Sequence, residues 1–354
     1  MKRFGIDRSP AVAIWLFACA ALVFAMVVVG GITRLSGSGL SITEWKPLIG
    51  ALPPMNAADW SEAFARYKAI PQYSQVNAGM SLGEFQDIFW WEWTHRLLGR
   101  LVGVAFALPF LVFLGLKMVP RRLIWRCGVL LGLGGLQGLI GWWMVSSGLA
   151  ERVDVAPERL AIHLGLALLI FIGLIWTGLE ALFGEEVTRP PVGWSRAAAL
   201  LLGAVFVQCL LGALVAGAKA GFVYTDWPLM NGALLAPVDW SRGSLAFLHD
   251  QALVQFDHRL WAYALLIAGT AYAIQTWLER QAEGLGAAAY TVAGALWLQA
   301  LLGIATLITG VPLWLGALHQ AGAVLVLLAA TVNLWMVRRS RARVFTSGWR
   351  PRGR

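Results

Sequence analysis

Stretches of about twenty apolar residues, the length a helix needs to cross a bilayer, recur along nearly the whole of this chain. That single property fixes the fold class before any motif is read. Hydrophobic residues make up 58% of the 354 and charged residues only 13%, where a soluble domain carries roughly a quarter charged residues. The 19 tryptophans and 39 glycines fit the same setting, since Trp favours membrane interfaces and Gly lets transmembrane helices approach closely. The chain reads as an all-α integral membrane protein. Eight spans can be drawn, at about 11–33, 93–117, 123–145, 159–182, 196–217, 257–278, 287–309 and 313–337.

A net charge of +9 could suggest nucleic acid, but the basic residues gather in short connections on one side of these spans. That is the positive-inside pattern, so the basic side is cytoplasmic, both termini lie there, and nucleic acid is excluded as a partner. The arginine-rich tail from Arg338 to Arg354 suits anionic membrane lipid. The start MKRFGIDRSP followed by an apolar run reads as an uncleaved first span, because no clean small-residue cleavage site follows. Cys19, Cys127 and Cys209 all fall inside spans, where they serve packing and not disulfides.

The chain is a duplication. Thr43, Trp45, Pro47 and Gly50 follow the first span as Thr225, Trp227, Pro228 and Gly232 follow the fifth. Asp59-Trp60-Ser61 returns as Asp239-Trp240-Ser241, Trp93-Thr94-His95-Arg96-Leu97 as Phe256-Asp257-His258-Arg259-Leu260, and Leu136-Gln137 as Leu298-Gln299. The shared order carries the inference, not any one match. Two four-helix bundles related by a pseudo-twofold along the membrane normal follow, because four spans per half is an even number. The expected divisions are an N-terminal half at 1–183, a cytoplasmic linker at 184–195 containing Pro190 and Pro191, a C-terminal half at 196–338, and a basic tail at 339–354. The first outer loop is longer than its counterpart. Trp60, Phe64 and Tyr67 recur in it at helical spacing, which predicts an amphipathic helix on the outer membrane surface, with a lid packed on the bundle as the alternative.

Four histidines occupy equivalent places in the halves: His95 with His163, and His258 with His319. His95 and His258 open the second and sixth spans; the other two lie a turn or two into the fourth and eighth. One intramembrane histidine is ordinarily a hydrogen-bonded core residue. Four at repeated positions near one boundary point to metal or haem ligation, with one imidazole available to each face of a macrocycle. No carboxylate or thiolate cluster completes a zinc site. His249 has no counterpart and reads as a surface residue. Arg96 and Arg259, directly after their histidines, are candidate propionate contacts or snorkelling cations. Glu92 precedes His95 by one helical turn, while Gln255 holds the equivalent place before His258. An acid beside one pair and an amide beside the other suggest a reacting centre and a non-reacting one. The alternative is an acid favoured by a helix N-terminus.

At Glu92-Trp93-Thr94-His95-Arg96, at the four histidines and across its eight spans, the chain resembles the haem A synthase family. It resembles the branch without a cysteine pair in the first outer loop, as in proteobacteria and mitochondria. The resemblance implies oxidation of a ring methyl of haem O to a formyl group through a hydroxymethyl intermediate, with water as the proposed oxygen source, to supply cytochrome oxidase. It assigns His95 and His163 to the substrate haem O, His258 and His319 to a haem b cofactor, and Glu92 to catalysis. It also implies a bacterial inner-membrane location with the haem sites near the periplasmic side, and haem O synthase as a membrane partner. A bis-histidine cytochrome b exchanging electrons with quinone is the competing reading; a two-fold transporter predicts broken helices at the midplane, whereas the polar residues here cluster at the outer surface.

Overall fold

The computed structural model describes residues 8–46, 49–184, 192–279 and 283–340. The first seven residues, Pro47, Pro190 and Pro191 of the linker, and the tail beyond Ser340 lie outside the described residues. The helices, in chain order, are α1 (Pro10–Leu35), α2 (Ala57–Lys68), α3 (Pro71–Gln75), α4 (Leu82–Gly115), α5 (Arg121–Ser146), α6 (Pro157–Phe183), α7 (Val192–Gly217), α8 (Ala246–His249), α9 (Gln251–Leu278), α10 (Glu283–Ile308) and α11 (Leu313–Arg339). Proline at the first helical position opens α1 and α6, where its missing N–H costs nothing and its fixed φ suits the helix.

Eight of these helices are long. Seven carry an apolar stretch long enough to cross a bilayer. The eighth, α9, has 28 residues, and Trp261, Tyr263, Tyr272 and Gln275 dilute its hydropathy. In the first half α1 packs on α4 and α6, and α5 closes the ring against the same two helices. In the second half α7 packs on α9 and α11, with α10 against both. The halves meet where α1 touches α11 and α6 touches α7, with α6 against α11 between them. Exchanging equivalent helices turns the first contact into the second, so the interface is isologous, as a pseudo-twofold requires. Leu16, Leu168, Leu174 and Leu327 are fully buried in one core that runs through both halves. At its outer edge Arg34 of α1 donates to Asp154 (3.1 Å) and to the carbonyls of Ala216 and Gly217 at the end of α7; Lys219 reaches the same aspartate at 2.7 Å.

Two expectations change. The helix bearing His95 starts far earlier than 93, at a capping box in which Ser81 and Glu84 each accept the other's backbone N–H. His95 therefore lies more than three turns inside α4, and His258 lies two turns inside α9, where Asp250 caps the helix by accepting the Leu253 N–H. The amphipathic segment of the first outer loop is a lid, not a surface helix. Phe64, Tyr67 and Ile70 are buried with Phe85 and Phe89 of the α4 extension and with Leu40, Val145 and Val155. Apolar area offered by the extension outcompetes the bilayer surface as a partner for that face. The Tyr67 hydroxyl donates to Gln72 (3.0 Å) and accepts from Asn77 (2.6 Å), and Gln72 donates to the Gly37 carbonyl beyond α1. Burial pushes the Tyr67 phenol above its ordinary value.

Candidate functional site

Each of the four histidines lies against a glycine on a neighbouring helix. His95 of α4 faces Gly30 of α1, His163 of α6 faces Gly141 of α5, His258 of α9 faces Gly212 of α7, and His319 of α11 faces Gly303 of α10. Every one of these glycines sits five residues before the end of its helix, so all four imidazoles share one depth at one end of the molecule. A Cβ on Gly30, Gly141 or Gly303 would come within 2.8, 2.9 and 2.8 Å of the imidazole Cε1; on Gly212 the distance is 3.2 Å. The rings occupy space that only a missing side chain leaves open.

Three of the four have a second support one turn back on the same helix. Gln137 precedes Gly141 by four residues, Gln208 precedes Gly212, and Gln299 precedes Gly303. Each amide nitrogen donates to the backbone carbonyl of its histidine, at 3.0, 3.1 and 2.6 Å respectively, and lies 3.1–3.2 Å from Nδ1 of the same ring. Gln137 and Gln208 also lie 3.5 and 3.3 Å from Nε2, so their amides press on the side of the ring and not along one lone pair. A single amide thus ties backbone and ring of the histidine to the facing helix. At His95 the corresponding residue is Met26.

The His258 and His319 rings have centroids 6.5 Å apart with planes at 78°. An iron–imidazole bond is about 2 Å and the ring centre lies roughly 1 Å beyond the bound nitrogen, so two axial imidazoles have centroids about 6 Å apart. The pair fits a shared haem iron on that measure. His163 lies near enough to His95 to bear on its charge. Among the described residues no cluster of three His, Cys, Asp or Glu side chains could hold a metal on its own.

Glu92 is 3% exposed and its carboxylate takes four donors. Oε2 accepts from the Ser41 hydroxyl and the Ile42 N–H, each at 2.8 Å, and Oε1 accepts from Arg96 Nε (3.0 Å) and Nη2 (2.7 Å). Arg96 also donates to the Ile42 carbonyl (2.6 Å) and the Glu44 carbonyl (2.8 Å). The second half repeats the clamp without the charge. Arg259 donates to the Tyr224 and Asp226 carbonyls at 3.2 and 3.0 Å, and Gln255 donates to Tyr224 at 2.9 Å. Ile42 and Glu44 stand to Trp45 as Tyr224 and Asp226 stand to Trp227, the register the duplication predicted. Arg96 therefore fastens the loop after α1, and Arg259 the loop after α7, to the helix that bears a histidine. Glu92 lies ten residues into α4, so a helix N-terminus does not account for it.

The structure thus sets the four predicted histidines at one level, brings His258 and His319 together, and sets Glu92 and Arg96 against each other one turn from His95. His249 stands apart, half-buried and 3.6 Å from Glu158. The sequence reading missed the glycines and the role of the glutamines, of which Gln137 and Gln299 appeared only as repeat matches. The usable signal was a glutamine four residues before a glycine near the C-terminal end of a span, repeated three times.

Residues 13–331 match the COX15-CtaA family, described as cytochrome oxidase assembly proteins. Haem A synthase of Caulobacter sp. (strain K31) is 59% identical over 341 residues, covering 94% of this chain and 98% of that protein. Haem A synthase of Caulobacter vibrioides is 57% identical over 94% and 98%. That of Parvibaculum lavamentivorans is 49% identical over 93% of this chain and 94% of its own.

Proposed function

This chain belongs to the COX15-CtaA family of cytochrome oxidase assembly proteins, and we infer that it performs the reaction its relatives are named for, the oxidation of haem O to haem A. The halves at 1–183 and 196–338 divide the work: His95 and His163 hold the substrate haem O, and His258 and His319 hold a haem b cofactor. The observation that carries this reading is the pairing of four imidazoles at one depth against four glycines, with the C-terminal rings 6.5 Å apart. Haem b, when bound, supplies one-electron redox chemistry.

The protein's own part is positional and electrostatic. Imidazoles that fill both axial positions of the substrate iron leave the ring edge as the reacting site. Glu92 lies one turn from His95 with four donors already on its carboxylate, so it suits stabilising positive charge at an oxidised methyl better than accepting a proton. Arg96, the Ser41 hydroxyl and the Ile42 N–H hold that carboxylate in place. A propionate would have to share Arg96 or Arg259 with the loop carbonyls. The basic connections favour an inner-membrane protein with both termini in the cytoplasm and the haem sites toward the periplasm, and a haem O synthase within the membrane is the natural donor of so greasy a substrate.

Haem extraction from purified protein tests the assignment. Wild type should yield haem b together with haem O or haem A, and His258→Ala should lose haem b alone. Haem b as the only pigment of the wild type would return the protein to the bis-histidine cytochromes. In Glu92→Gln, haem should remain bound while haem A output stops.

A further inference from the structure

The four histidine sites are built to one plan with one departure. Gln137, Gln208 and Gln299 each tie a histidine to the opposing helix through its ring and its backbone carbonyl. At the fourth site Met26 stands where the glutamine belongs, four residues before Gly30. Its methyl group turns toward α4 and reaches Gly99, where a Cβ would come within 3.1 Å of it. Gly99 is one turn beyond His95, and the space it leaves admits the thioether. The result at His95 is a buried Nδ1 without a hydrogen-bond partner. The Met26 carbonyl lies toward that ring, outside hydrogen-bond geometry, just as the Gln208 carbonyl lies toward His258. The backbone is therefore common to the two sites, and the side chain alone distinguishes them.

An imidazole that gives Nε2 to iron carries its proton on Nδ1 and is held and made more basic by an acceptor there. The glutamines turn their amide nitrogen and not their oxygen to the ring, so what each fixes is position: its N–H is donated to the carbonyl of the histidine and holds that stretch of helix against its neighbour. Met26 offers a thioether, which has no N–H to donate, and its methyl group lies toward Gly99 instead. Resting on the reading that the N-terminal pair binds a haem that must arrive and leave, we propose that Met26 makes His95 the weakly held axial ligand, and that this difference lets the N-terminal half exchange haem while the C-terminal half retains its own. His95 is then the ligand that releases first, and His163, tied by Gln137, is the one that stays. Met26 acts through His95 as a positioning residue.

The test uses the full-length protein loaded with haemin and mixed with excess apomyoglobin, which reads the rate at which each site gives up its haem. Wild type should release haem in two phases, the fast one abolished by His95→Ala and the slow one by His258→Ala. Met26→Gln should slow the fast phase by about tenfold, the worth of one buried hydrogen bond, while Met26→Leu, similar in bulk without the amide, leaves it unchanged. Gln208→Met should speed the slow phase by a similar factor, and it stands as an independent arm if Met26→Gln does not fold. The reduction potential of the N-terminal haem should shift in Met26→Gln and not in Met26→Leu. Two assigned phases that ignore both the glutamine and its removal would overturn the proposal and leave the two-site reading intact. A release that His95→Ala does not touch would overturn the N-terminal haem site itself, and the proposal with it.

Discussion

Gly141 faces His163 so closely that a Cβ there would lie 2.9 Å from the imidazole Cε1. Three other glycine–histidine pairs repeat the relationship, and together they turn the wall of a helix into a seat for a ring. Real Cβ atoms do not approach other atoms so closely, so a methyl group must push the imidazole away from its partner.

Gly141→Ala and Gly303→Ala should therefore each lose the haem of one half, the overpacking costing about 1–3 kcal/mol and falling on ligand position. Gly212→Ala, with 3.2 Å available, should retain more haem than Gly303→Ala. Gly138→Ala, where a Cβ meets nothing within 4 Å, is the control. Pigment stoichiometry after purification decides the matter, and a full complement in Gly303→Ala would remove the seat from the account.

Arg96 and Arg259 make the same loop contacts but differ in charge balance. Removing Arg96 leaves the buried Glu92 carboxylate without its cation, a loss of about 3–5 kcal/mol for a buried pair. Removing Arg259 leaves carbonyl acceptors short of donors, at about 1–3 kcal/mol, and takes a cation from near Asp226, which unlike Glu92 is not buried. Thermal unfolding in detergent should rank Arg96→Ala below Arg259→Ala; the reverse order would mean that Glu92 does not depend on its arginine.

The lid should come away as a unit. Phe85 is fully buried between Phe64, Tyr67 and Phe89, so Phe85→Ala should cost about 3–5 kcal/mol and expose residues 57–75 to protease before the bundle yields. Cleavage that begins within α5 or α6 instead would show the lid to be no weaker than the core.

Tyr67 gives the lid a pH dependence. Its phenol is raised by burial, so the folded lid favours the protonated form; the stability this contributes is whole below the unfolded value of about 10 and declines as pH rises through the folded value. Proteolysis of the lid should accelerate above pH 10 in wild type, and Tyr67→Phe should be flat over the same range. An equal acceleration in the phenylalanine variant would place the titration elsewhere.

Run length, repeat order and residue type were enough to establish much of this protein. Apolar segments of bilayer length can only be helices, a duplicated order of motifs can only be two like halves, and histidines kept at one end of four such helices mark chemistry. The contrast of Glu92 with Gln255 was equally plain, because it needs only an alignment of the chain with itself. Tertiary structure alone decided which helix stands behind each imidazole, that Glu92 faces Ser41, Ile42 and Arg96, and that Phe64 and Tyr67 cover the bundle instead of lying in lipid. The physical reason is the solvent. Lipid tails are as apolar as a packed interior, so the faces of a membrane helix carry little of the alternation that tells a soluble chain which side is inside. Only once α1 meets α4 does the absence of a side chain at Gly30, or of an amide at Met26, acquire a meaning.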